Sequence, residues 1–95
     1  MRADETSGTL GVRIQTPEGV VWEGEAQAVS SENTAGAFDI LPGHANLITL
    51  IERKPIVIQG ERGERMFNFD RAIISLKDNW VSVYADIVLG QNLPG

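Results

Sequence analysis

From Leu10 to Thr16 the chain alternates, with Leu10, Val12 and Ile14 on one side and Gly11, Arg13 and Gln15 on the other. That is the period of a β-strand. Thr16-Pro17-Glu18-Gly19 supplies a turn, and Val20-Val21-Trp22 resumes the extended pattern, so the first two strands form a hairpin. Ile56-Val57-Ile58 and Met66-Phe67-Asn68-Phe69 flank the charged, glycine-bounded turn Gly60-Glu61-Arg62-Gly63-Glu64, which predicts a second hairpin. A third joins Ala72–Leu76 to Trp80–Ala85 through Asp78-Asn79. In its second strand Val81, Val83 and Ala85 share the face expected to be core, opposite Trp80, Ser82, Tyr84 and Asp86. Nowhere do apolar residues recur at helical spacing over a helix's length. His44–Ile51 is ambiguous, and its Ile48, Leu50 and Ile51 fit a strand equally well. The pattern predicts an all-β fold of roughly seven to ten short strands, a β-sandwich or small barrel.

Composition narrows this to one unit, since 95 residues bury too little surface to be divided into two cores. Met1–Gly8 lacks an apolar run, so it reads as a polar tail, neither signal peptide nor membrane span, and the domain is expected to begin near Thr9. A formal charge of -5 with scattered basic residues opposes a polyanionic partner and argues against nucleic acid. The absence of cysteine removes disulfides, thiolate metal sites and cysteine nucleophiles together, leaving packing alone to hold the domain.

Enzyme chemistry finds little support. His44 is the only histidine, and Asp39 lies five residues upstream, but the remaining acids are dispersed rather than set at metal-ligand spacing. Ser30, Ser31, Ser75 and Ser82 lie in or beside strand-like runs rather than on a nucleophile turn. Gly60-Glu61-Arg62-Gly63-Glu64-Arg65 places acids where a nucleotide's phosphates would sit and lacks the Gly-Lys-Ser/Thr that completes a phosphate loop. Trp22, Trp80 and Tyr84 are candidates for a stacking platform, although aromatics in strands are more often part of sheet packing. Catalytic residues, metal ligands and cofactors are therefore not expected.

The stretch Ala35-Gly36-Ala37-Phe38-Asp39-Ile40-Leu41-Pro42-Gly43-His44-Ala45-Asn46-Leu47 contains a local turn: proline suits its second position, and glycine the third, where φ is positive. The small residues before it, around one large aromatic, suit protein docking.

Gly36–Leu47 resembles the G-x-F-G-I-L-P-G-H-A-P-L segment of the epsilon subunits of F-type ATP synthases, called delta in mitochondria. Leu10–Thr16 is similar to the family's first strand, Val21-Trp22-Glu23-Gly24 to its apolar-aromatic-x-Gly step, and Val81–Asp86 to its V-x-V-L-A-D strand. The resemblance covers residues 9–90 and implies a β-sandwich or flattened barrel of about ten strands. It further implies a non-catalytic subunit at the foot of the central stalk, peripheral on the cytoplasmic face of a bacterial membrane. There it would couple rotation of the c-subunit ring to the gamma subunit, with no membrane insertion and no small-molecule substrate. By position in the motif, Thr16, His44 and Thr49 would meet gamma. The loop of Thr34, Ala35, Gly36, Ala37, Phe38 and Asp39 would face the ring.

Departures from the family pattern carry their own expectations. An acid often stands at the position of Ala37 and a glycine at that of Asp39, so the ring-facing charge is moved by two residues or lost. Asn46 replaces a proline, and Asp70-Arg71-Ala72 stands where the family has Gly-Gly before the penultimate strand, an exchange that bears on the local backbone. Residues 91–95 read as a short tail, with no helical pattern left for the family's C-terminal two-helix hairpin. The alternative to a stalk subunit is a free-standing binding module that kept the sandwich and took a ligand on Trp22, Trp80 and Tyr84.

Overall fold

A computed structural model of the chain describes residues 8–86. Nine strands follow in order: β1 (Leu10–Thr16), β2 (Gly19–Ala26), β3 (Ala28–Asn33), β4 (Gly36–Ile40), β5 (Leu47–Glu52), β6 (Pro55–Gly60), β7 (Gly63–Asn68), β8 (Arg71–Lys77) and β9 (Trp80–Ala85). They form a five-stranded sheet, β2-β1-β9-β8-β5, and a four-stranded sheet, β4-β3-β6-β7. Every pair is antiparallel except β1 and β9, which run parallel at the centre of the larger sheet. The all-β sandwich is as expected, with nine strands among the described residues against about ten. Of the tails expected over residues 1–8 and 91–95, residues 1–7 and 91–95 lie outside the described residues.

Alternation explains the core. Leu10, Val12 and Ile14 of β1, Val81, Val83 and Ala85 of β9, and Ala72, Ile74 and Leu76 of β8 are all at most 2% exposed. They meet Val29, Ile40, Ile56 and Ile58 from the smaller sheet, so each sheet buries one face against the other. Ser31 is the buried polar residue of this interior, and its hydroxyl donates to the Pro55 carbonyl at 2.9 Å, which satisfies it.

All three expected hairpins are present, and two-residue turns close them at Pro17-Glu18, Glu61-Arg62 and Asp78-Asn79. Asp78 and Asn79 both have positive φ, 49° and 66°, the geometry that matches the twist of a hairpin. β2 carries a bulge: Ile14 faces Trp22 while Gln15 faces Val20, leaving Val21 unpaired between them. Val20 and Val21 are consequently both exposed. At Asp70-Arg71-Ala72 the local backbone does not require glycine, because none of the three is among the residues with positive φ and Arg71 opens β8.

One expectation about shape is corrected. Residues 34–39 are not a loop: Thr34-Ala35 is a two-residue turn, and Gly36–Ile40 is a strand paired with β3. Phe38 sits opposite the buried Ser31 and, half-buried, packs against the core.

Candidate functional site

Strand register divides the expected interface residues between two ends of the sandwich. One end carries the 41–46 loop, the Glu61-Arg62 turn and the Asp78-Asn79 turn; the other carries Pro17-Glu18, Thr34-Ala35, Arg53-Lys54 and Asp86.

At the first end, the expected Pro42-Gly43 turn is present, with Gly43 at φ 88° and the His44 amide donating to the Leu41 carbonyl at 3.0 Å. Those values describe a type II turn. The loop is tied to the β8–β9 turn twice over. The Gly43 amide donates to Asn79 Oδ1 at 2.8 Å, and the Asp78 amide donates to Asn46 Oδ1 at 2.9 Å. His44 is exposed, and its Nδ1 lies 2.7 Å from the Ala45 carbonyl oxygen. A carbonyl oxygen only accepts, so Nδ1 carries a proton in this contact, which in the neutral tautomer leaves Nε2 as the acceptor.

At the opposite end, Asn33 shapes the β3–β4 turn. Its Oδ1 accepts from the Ala35 amide at 2.8 Å, and its Nδ2 donates to Thr49 Oγ1 at 2.8 Å. Thr49 is half-buried, and through this contact it joins the edge strand β5 to the other sheet. Ala37 and Asp39 are both exposed on the outer face of β4, about 7 Å apart along the strand. Ser30, directly opposite, donates to Asp39 Oδ1 at 2.6 Å. Glu32 stands opposite Ala37 and lies 3.8 Å from the Lys54 ammonium. Glu32 and Asp39 thus put two carboxylates beside Ala37, one across the ladder and one a pleat along it.

Thr16 closes β1, half-buried, with its hydroxyl accepting from the Glu18 amide at 3.1 Å. It shares an end with Thr34-Ala35, whereas His44 lies at the far end, roughly 20 Å away by six residues of strand rise. Thr16, His44 and Thr49 do not converge on one point. Only a partner extending along the sandwich could touch all three.

The aromatic platform is not assembled. Trp22 opposes Ile14 and turns inward, 6.4 Å from the Phe67 ring, while Trp80 and Tyr84 occupy the outer face of the larger sheet. Trp80 lies flat over Gly11, with the Arg13 guanidinium 5.9 Å from its ring centroid. An open cleft of about 570 Å³ beside Trp22 is rimmed by Glu25, Glu61 and Glu64 as well as Arg62 and Arg65, a mixed charge set that favours no single ligand. Among the described residues no three histidine, cysteine or acidic side chains group to hold a metal ion. No helix there is long and apolar enough to cross a membrane.

The loop contacts that sequence reasoning does not reach are those of Asn46 and Asn79. Asn46 was visible only as a departure from proline, and Asn79 only as a turn residue.

Comparison with known proteins connects this sandwich to a family. The chain is 35% identical over 75 residues to the ATP synthase epsilon chain of Endomicrobium trichonymphae, covering 79% of this chain and 54% of that one. It is 33% identical over 79 residues to that of Streptomyces avermitilis, covering 82% and 64%. It therefore spans between half and two thirds of the length of these curated relatives. In fold it is similar to a chain of the Tetrahymena thermophila mitochondrial ATP synthase central stalk and c-ring, with a TM-score of 0.70 at 10% identity over 82% of this chain and 63% of that one. A chain of the Euglena gracilis mitochondrial ATP synthase gives 0.74 at 11% identity, covering 81% and 50%. The family model for the β-sandwich domain of the ATP synthase delta/epsilon chain matches residues 9–90, and the chain belongs to that family.

Proposed function

We propose that the chain is a non-catalytic subunit of the central stalk of an F-type ATP synthase, linking rotation of the c-ring to the gamma subunit. The observation that carries this reading is the family match over residues 9–90, seated on a sandwich with a rigid docking loop at one end and a polar hairpin at the other. In this role the end bearing Thr34-Ala35, with Ala37 and Asp39 on its flank, meets the polar loops of the ring. Gamma extends along the sandwich past Thr16, Thr49 and His44, which accounts for their separation. The chain binds peripherally on the cytoplasmic side of the membrane that holds the ring, and neither cofactor nor small-molecule substrate enters its work. The free-standing module finds no support in the aromatics, since Trp22 points away from Trp80 and Tyr84.

Omission is the direct test. In an enzyme assembled from gamma, the catalytic head and the ring, leaving out the chain should abolish most ATP-driven proton pumping while hydrolysis continues. Pumping that proceeds equally well without the chain would overturn the proposal.

A narrower expectation concerns Asp39. Asp39→Asn keeps the oxygen that Ser30 binds and removes the charge, so the melting temperature should barely move. Affinity for the ring should fall roughly two- to fivefold at low salt, and the difference should fade at high salt, as for an exposed charge pair. Sedimentation of the chain with ring-containing vesicles at two ionic strengths measures this.

A further inference from the structure

We propose that Asn46 and Asn79 are positioning residues that clasp the His44 loop to the β8–β9 turn, presenting Nε2 of His44 as an acceptor to an N–H or O–H donor on the gamma partner. The inference rests on the function proposed above and specifies the chemistry of one contact within it.

Three observations carry it. First, the clasp is reciprocal: each segment uses an asparagine side-chain oxygen to accept a backbone amide of the other, Gly43 to Asn79 and Asp78 to Asn46, across 36 and 32 residues of sequence. Both segments are exposed turns. Two such links, spaced on either side of His44, restrict rotation of the loop as well as its separation from the sheet. Second, both chain directions at the clasp are fixed. Asn79 has φ 66°, a conformation asparagine tolerates better than most residues, while Gly43 at φ 88° completes the loop's own type II turn. Third, the imidazole is already committed at one nitrogen. With Nδ1 donating to the Ala45 carbonyl, the tautomer that fits this contact has its free nitrogen, Nε2, as an acceptor. A ring held in place before docking loses little rotamer entropy when the contact forms.

Asn79 permits a clean separation of effects. Asn79→Gly preserves the positive φ and deletes the acceptor, whereas Asn79→Asp preserves both. With the full 95-residue chain, amide hydrogen exchange followed by nuclear magnetic resonance reads the clasp directly, and titration calorimetry against purified gamma reads its consequence. In Asn79→Gly, the Gly43 amide should exchange at least about tenfold faster, and gamma affinity should fall roughly three- to tenfold. Asn79→Asp should restore both to within about twofold. Asn46→Ala should produce the matching acceleration at the Asp78 amide. In a His44→Ala background, Asn79→Gly should change gamma affinity by less than about twofold, because a positioning residue has nothing left to position. His44→Gln, which offers both an acceptor and a donor and lacks the Nδ1 lock, should bind more weakly than the parent.

Unchanged exchange at Gly43 in Asn79→Gly would refute the clasp, and an undiminished effect of that variant in the His44→Ala background would refute its action through histidine. Should the parent chain fail to bind gamma at all, the stalk function itself falls, and the exchange data separate that failure from an absent clasp.

Discussion

Replacing Val83 by aspartate should leave no stably folded chain. Val83 is fully buried in β9, the central strand of the larger sheet, between Ile14 of β1 and Ile74 of β8, which are also fully buried. No buried cation stands among the core residues to pair with a new carboxylate. Either the charge stays unpaired or the group takes up a proton, and both courses cost several kcal/mol. A domain of this size holds about 5–10 kcal/mol in total, so the substitution consumes most of the margin. Val83→Thr nearly keeps the volume and adds one hydroxyl, which should cost about 1–3 kcal/mol and leave a folded, less stable chain. Chemical unfolding followed by circular dichroism measures both. An aspartate variant that remained soluble and unfolded at the parent's denaturant midpoint would show that Val83 does not face the core.

The strands that sequence made legible are those whose alternation is carried by large apolar residues. In β1, β8 and β9 the buried set is Leu, Ile, Val and Ala at every second position, and the opposite set is visibly polar or small. β3 fails that test although it is an interior strand of its sheet. Its inward positions include Ser31 as well as Val29, and a hydroxyl can occupy the interior only because the Pro55 carbonyl accepts from it, a contact between residues distant in sequence. β4 reads as a loop in sequence because Gly36 and Ala37 mute its alternation, yet Phe38 and Ile40 keep the inward period. β5 poses a different problem. Both of its alternating sets are largely apolar, so pattern alone cannot say that Leu47, Thr49 and Ile51 turn inward while Ile48 and Leu50 face solvent.

The site was legible in the same uneven way. A type II turn at Pro42-Gly43 follows from local backbone chemistry, and the structure has it. What fixes that turn in space is the pair of asparagine side chains, and nothing in the local composition announces a contact across the whole second half of the domain. The partition of Thr16 and His44 to opposite ends is likewise a matter of register, set by the parallel pairing of β1 with β9. Hairpin reasoning supplies neighbours only, and a parallel pair joins strands distant in sequence.

Gly11→Val should destabilise the chain by about 2 kcal/mol, even though valine is the better strand residue. A Cβ at Gly11 would stand 2.3 Å from Trp80 Cε3 and 2.4 Å from Cζ3, far inside contact distance. Trp80 is 41% exposed and can swing outward, so the backbone survives. What is lost is the apolar contact of the indole with β1 and its stacking against the Arg13 guanidinium, together about 1–3 kcal/mol. The gain in strand propensity, at most about 1 kcal/mol, offsets only part of this. Because the loss arises from expelling one ring, it should not add to the loss from deleting that ring. Trp80→Ala alone should cost a similar amount, and the loss in the double variant should fall short of the sum of the two single losses by about 1 kcal/mol or more. The functional consequence follows the backbone: the Gly11 amide donates to the Asn79 carbonyl at 2.9 Å, and Trp80 immediately follows Asn79. Displacing the ring therefore pulls on the turn that holds the His44 loop, and under the proposed stalk function gamma affinity should fall in Gly11→Val beyond any loss explained by the fraction unfolded. Additive stabilities across the cycle would mean that Trp80 does not rest on Gly11. Coupled stabilities with unaltered gamma affinity would mean that the turn holds its geometry without the indole.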